Sequence, residues 1–195
     1  MSPESDPAGR KLRVTKGQVL FIHGGGGEAF EGDEALVRSL REALRPDFGV
    51  EYPEMPDADA PEFGTWSARI SRELSALGDG VILVGHSLGG SLLLKHLSEE
   101  RVEEPIAGLF LIATPYWGAV DWKVAEFELR ENFPATLPED LPIFLYHSRD
   151  DEVVPFAHLA LYAGRLPQAS VREFDGRGHQ LGDDLTEVAG DIARL

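Results

Sequence analysis

Five short apolar runs rich in β-branched residues recur along the chain, at 18–23 (QVLFIH), 81–85 (VILVG), 108–113 (GLFLIA), 143–148 (IFLYHS) and 170–174 (SVREF). Most of them carry no polar alternation, which predicts strands covered on both faces. A weaker run at 49–56 (GVEYPEMP) predicts a sixth strand. Helical spacing fills the intervals. Leu36, Leu40 and Leu44 follow Asp33, which reads as an N-cap, and Trp66, Ile70, Leu74 and Leu77 follow Thr65, which reads as another. Leu185, Val188, Ile192 and Leu195 form the last apolar stripe. Strand alternating with helix implies the α/β class, a parallel sheet with helices on both faces. The one long irregular piece, 115–142, has room for a single helix at 124–130. There is no repeat or linker, so residues 1–195 are expected to form one domain, with 1–16 a poorly ordered extension.

In such a sheet, ligands gather beyond the carboxyl ends of the strands. The residues there are His23 and Gly24–Gly27, then Gly85-His86-Ser87-Leu88-Gly89-Gly90, Thr114-Pro115-Tyr116-Trp117, Arg149-Asp150-Asp151-Glu152 and Gly176-Arg177-Gly178-His179. A serine, an acid and a histidine thus stand in order on separate loops at one edge. Gly85-His86-Ser87-Leu88-Gly89 fits the G-x-S-x-G nucleophile elbow, with an apolar strand before it and an apolar helix after it. The turn must lift the serine Oγ clear of the sheet, and the helix N-terminus beneath favours negative charge. The Leu88 N–H is placed to meet a developing oxyanion.

Composition narrows the chemistry. A net charge of −16 and a pI near 4.7 argue against nucleic acid and anionic membrane surfaces as partners. The absence of cysteine excludes a thiol nucleophile, disulfides and thiolate metal sites. With no apolar run of membrane-spanning length and a polar start to the chain, a soluble cytoplasmic protein is expected. A phosphate role for the glycines fits poorly. No P-loop pattern is present, no dinucleotide fingerprint follows in register, and the nearest charges, Glu28, Glu31 and Asp33, are acidic.

These motifs resemble the α/β-hydrolase superfamily from about Gln18 to the C-terminus. More narrowly, GHSLGG, HSRDDEVVP and GRGHQLGDDL resemble the small serine hydrolases without a large cap, typified by the retinoblastoma-binding esterase. The resemblance implies a reduced six-stranded core in the order 2-1-3-4-5-6, because little precedes the first strand. It implies a catalytic triad of Ser87, Asp151 and His179, an oxyanion hole of Leu88 with Gly25 or Gly26 (Gly25 favoured), and neither metal nor cofactor. The superfamily spacing of the acid ahead of Val154-Pro155 selects Asp151 over Asp150, which should turn to solvent or to backbone N–H groups. Tyr116 and Trp117 are candidates for an aromatic wall around an acyl group, with Phe63 and Trp66 weaker ones; core packing is the competing role for all four. Of the other histidines, His23 is read as a brace of the oxyanion loop and His86 as packing. His147 is read as a neighbour of the site, and His96 and His158 as surface or core-edge residues. A metal set of His147, Asp151 and His179 can be drawn, though no ligand spacing supports it.

The reading is a cofactor-free serine hydrolase cleaving small acyl esters. Thioester, amide or perhydrolase chemistry at the same site, or a silent binding protein on the same fold, are the alternatives; the oligomeric state is left open.

Overall fold

The computed structural model describes residues 17–195, so the extension expected at 1–16 lies outside the described residues. Six parallel strands form one sheet in the order β2-β1-β3-β4-β5-β6. They are β1 (Gly17–Ile22), β2 (Phe48–Glu51), β3 (Val81–His86), β4 (Ile106–Ile112), β5 (Ile143–Ser148) and β6 (Ser170–Phe174). The helices are α1 (Ala29–Gly32), α2 (Glu34–Leu44), α3 (Phe63–Leu77), α4 (Leu88–Glu99), α5 (Ala157–Arg165) and α6 (Thr186–Ile192).

Alternate residues of each strand feed two separate cores. Leu20, Ile22, Leu83, Leu109, Leu111 and Leu145 face α3, α4 and α5 through Trp66, Ile70, Leu92 and Leu159. Val19, Phe21, Ile82, Val84, Phe110 and Ile112 face α2 and α6 through Leu36, Leu40, Val188 and Ile192. Burial of both faces is why these strands read as continuous apolar runs. Among the described residues, no helix is long and apolar enough to cross a membrane.

Three local expectations are corrected. Asp33 makes no side-chain cap bond to α2; its carboxylate points the other way, into the sheet edge. Thr65 lies inside α3, which begins at Phe63 after the extended residue Glu62. The helix expected at 124–130 is absent: Phe127 N–H reaches Val124 O and Glu128 N–H reaches Ala125 O, as isolated turns. Phe127 is buried against Trp117 while Val124 stays exposed, so that stretch offers no helical apolar stripe to the core. A short 3₁₀ turn, Phe133–Ala135, is the only helical piece described between β4 and β5.

Candidate active site

The elbow between β3 and α4 sits at the centre of the carboxyl edge. From Val81 to Ser98 every residue is buried except Ser87. Ser87 holds φ 50° and ψ −123°, a left-handed conformation that costs a non-glycine residue on the order of 1–3 kcal/mol. Its N–H is tied to Ile112 O at 2.8 Å, which fixes the turn against β4. The flanking glycines answer to space. A Cβ on Gly85 would lie 2.5 Å from Gly90 Cα, and one on Gly89 would strike the carbonyls of Ile22 and His23. Strand and helix can therefore approach closely enough to force Ser87 outward.

The loops after β5 and β6 meet beside it. His179 Nδ1 lies 3.0 and 2.9 Å from the two oxygens of Asp151. Asp151 Oδ1 also accepts the N–H groups of Val153 and Val154 at 2.8 Å each. His147 Nε2 lies 3.0 Å from Asp151 Oδ2 and 2.9 Å from Val154 O. Burial opposes the charge on Asp151, but the hydrogen bonds from His147, His179 and the Val154 N–H outweigh it and hold the carboxyl well below its ordinary range. His147, Asp151 and His179 thus meet as a hydrogen-bonded set in which one carboxylate serves both rings. Asp150 turns away and receives Gly176 N–H at 2.9 Å, Arg177 N–H at 3.2 Å and Gly178 N–H at 3.3 Å.

His179 reaches the elbow through residue 86. The two imidazole rings are 4.7 Å apart at 51°, and His86 Nε2 lies 3.2 Å from His179 O. Ser87 Oγ and His179 Nε2 make no hydrogen bond among the described residues, so the structure brings the two loops together without closing that contact. Catalytic hydrogen bonds commonly tighten only when substrate is bound.

The glycine loop after β1 packs on the other side. A Cβ on Gly24 would lie 3.4 Å from Ser87 Cβ, and one on Gly25 would lie 2.7 Å from Leu88 Cδ2. Gly24 N–H is bound to Asp33 Oδ2 at 3.0 Å and Gly26 N–H to Ala58 O at 2.7 Å. The N–H groups of Gly25 and Leu88 have no acceptor among the described residues. His23 braces the loop as expected: Nδ1 donates to Gly24 O at 2.7 Å while Nε2 accepts Met55 N–H at 2.8 Å. Burial lowers its pKa, in keeping with that neutral tautomer.

Of the aromatic candidates, Trp66 is fully buried and belongs to the core. Phe63, half-buried, packs against the same core and carries Lys95 Nζ 5.0 Å from its ring centre. Tyr116 and Trp117 are half-buried, with Tyr116 against Tyr162 at 4.9 Å and Trp117 against Trp122 at 5.3 Å. Trp122 continues the cluster onto His158 at 5.2 Å. His96 and His158 are buried at 1% and 4% exposure, not surface residues: Ser67 Oγ meets His96 and Tyr116 N–H meets His158, each at 2.8 Å. Burial pulls the His96 pKa down to about 4.

The sequence reading missed two participants, Asp33 as a ligand of the glycine loop and Trp122 as part of the aromatic cluster. Neither stands beside a motif. Trp122 could have been found from its nearness to Tyr116 and Trp117; for Asp33 the only signal was an acid ten residues past a strand.

The fold is shared with solved proteins at low identity. The ydeN gene product of B. subtilis aligns with a TM-score of 0.71 at 20% identity, over 91% of this chain and 97% of its own. An esterase domain from Rhodothermus marinus aligns at 0.66 and 19% identity, over 97% and 94%. Arabidopsis thaliana SOBER1 aligns at 0.66 and 17% identity, over 91% and 98%. No curated protein matches the chain. The family model described as serine hydrolase matches residues 38–184, which takes in the elbow, both aspartates and His179 but not the glycine loop. With that match over most of its length, on a six-stranded α/β-hydrolase sheet, this chain belongs to the serine hydrolase family.

Proposed function

We propose that the protein is an esterase acting on small acyl esters, with Ser87 as nucleophile, His179 as base and Asp151 as the acid that orients it. The observation that carries this reading is the strained, outward Ser87 beside a histidine whose Nδ1 is held by a buried carboxylate. With Nδ1 donating to Asp151, the Nε2 lone pair is the one left to take a proton. His179 deprotonates Ser87 as Oγ attacks the acyl carbon, and the tetrahedral oxyanion forms between the N–H groups of Gly25 and Leu88. Gly25 is preferred to Gly26 as second donor because the Gly26 N–H is already spent on Ala58 O. Collapse breaks the bond to the alcohol, which leaves with the proton from His179. Water then repeats the sequence on the acyl-enzyme and returns the free acid and Ser87.

The substrate end of the site is assigned to the half-buried rings of Tyr116 and Trp117, extended by Trp122. No α-helix is described between β4 and β5, so that segment brings no helical lid over the site. The expected substrates are soluble esters of acetyl to butyryl length, met in the cytoplasm, without activation at a lipid interface. The test is a fluorophosphonate label followed by a p-nitrophenyl ester series. Labelling at Ser87 with fastest turnover of the short acyl chains supports the reading. Absence of labelling overturns it, and faster cleavage of long-chain emulsions overturns the substrate assignment.

A further inference from the structure

Behind Ser87 lies a second aspartate–histidine pair that the proposed reaction does not use. Asp33 and His86 are each 1% exposed. His86 Nδ1 is 2.9 Å from Asp33 Oδ2, and His86 Nε2 is 3.2 Å from His179 O. Asp33 Oδ2 also accepts Gly24 N–H at 3.0 Å, and Oδ1 accepts Gln180 Nε2 at 3.1 Å. Every contact of the carboxylate is thus with a donor, as suits the ionised form. Both ring nitrogens of His86 face acceptors, which requires a proton on each. The pair is a buried carboxylate and imidazolium. Burial works against both charges, but mutual attraction and hydrogen bonding win: the His86 pKa is raised and the Asp33 pKa lowered.

The contacts join loops that the sheet leaves apart. Gly24 follows β1 and His86 ends β3, whereas His179 and Gln180 follow β6, at the edge of the sheet with β4 and β5 in between. Strand register alone does not bring the β6 loop over the elbow. An ion pair is also an inefficient source of net stability, since apolar residues of similar volume often serve as well. Its distinctive yield is direction, with hydrogen bonds aimed at one carbonyl and one amide.

We propose that Asp33 and His86 are positioning residues: their ion pair holds the His179 carbonyl and the Gly24 amide in fixed relation to Ser87, preorganising base and oxyanion loop together. The proposal rests on the hydrolase reading of the same site. A misplacement of about 1 Å at such a site costs on the order of 100-fold in rate.

The experiment compares wild type with Asp33→Asn and His86→Gln. Active sites are titrated with a fluorophosphonate, and kcat and KM for an acetyl ester are expressed per titrated site, which removes any effect of unfolded protein. Expected is a fall in kcat of about 10- to 100-fold with KM within about threefold, and a parallel fall in the phosphonylation rate. A kcat per titrated site within about threefold of wild type overturns the proposal, however far the melting temperature drops. An independent arm uses nitrogen-15 NMR of the wild-type histidines. His86 should be doubly protonated at neutral pH, and a neutral His86 overturns the proposal even if neither variant folds. Should wild type prove unreactive to both probe and ester, the hydrolase reading fails by itself. The coupling is then judged by whether Asp33→Asn moves the Gly24 and His179 amide resonances, and unmoved resonances overturn it.

Discussion

Two aspartate–histidine pairs stand within one ring contact of each other, built from the same side chains and bonded differently. In Asp151–His179 the carboxylate holds one nitrogen and the other makes no hydrogen bond among the described residues. In Asp33–His86 both nitrogens are engaged, one by the carboxylate and one by a backbone carbonyl. A histidine with a free nitrogen can exchange a proton with substrate; one that donates at both ends can only hold its neighbours in place. The difference lies in the environment. Asp151 is satisfied by His147 and two backbone N–H groups from its own turn, whereas Asp33 spends its lone pairs on three different loops.

The largest effect should come from Ser87, the nucleophile that the first pair is proposed to serve. Ser87→Ala should abolish fluorophosphonate labelling and lower ester turnover by about six decades, as loss of a triad serine does elsewhere. Its melting temperature should stay close to that of wild type, because alanine occupies the same turn; retained labelling would assign the chemistry to another residue.

Asp151→Asn should follow, at on the order of four decades in kcat, because the amide no longer selects the required tautomer of His179. The same substitution carries a pH signature. Hydrogen bonding holds the folded Asp151 pKa below its ordinary 3.8, so its contribution to stability is present above that value and fades as pH falls toward the folded pKa. Denaturant melts should therefore show the gap between wild type and Asp151→Asn narrowing from pH 6 to about pH 2. A constant gap would mean that the carboxylate's charge is not what the fold uses.

Asp33→Asn should invert the balance between the pairs. It is expected to cost about 3 kcal/mol of stability in urea unfolding, the scale for breaking a buried ion pair, while leaving far more activity than Asp151→Asn does. If it matches Asp151→Asn in lost rate, the division of labour between the pairs is wrong.

The smallest effect is expected at Asp150, the neighbour of the proposed acid. It is exposed, and the N–H groups of Gly176 and Arg177 meet its Oδ1, a place that an asparagine oxygen can take; only the longer Gly178 contact to Oδ2 is lost. Steady-state kinetics of Asp150→Asn should stay within a few-fold of wild type; a loss of decades would put the acid one residue earlier than proposed.

The residues by themselves determined a great deal here, because the signals involved are short-range. Strand runs buried on both faces announce themselves as continuous hydrophobicity, and the order of the six strands is the one that the resemblance to the α/β hydrolases implies. The elbow is a local device: a strand, a strained serine and glycines that must lack side chains all fall within a few positions. The parting of Asp151 from Asp150 was legible too, since adjacent residues on an extended turn point apart: Asp151 meets His179 while Asp150 meets the Gly176 N–H.

Only the tertiary structure decided the rest. Asp33 looked like a helix cap because its sequence neighbours permit that role, but its partners lie at Gly24, His86 and Gln180, 9, 53 and 147 positions away. The stretch 124–130 has helical composition, yet Trp117 captures Phe127 and leaves no stripe to bury. His96 and His158 stood open between surface and core edge, and their partners inside the fold are Ser67 and the Tyr116 amide. Hydrogen bonds and packing contacts between distant segments are chosen by what the closed fold brings together, and a linear pattern holds no record of that.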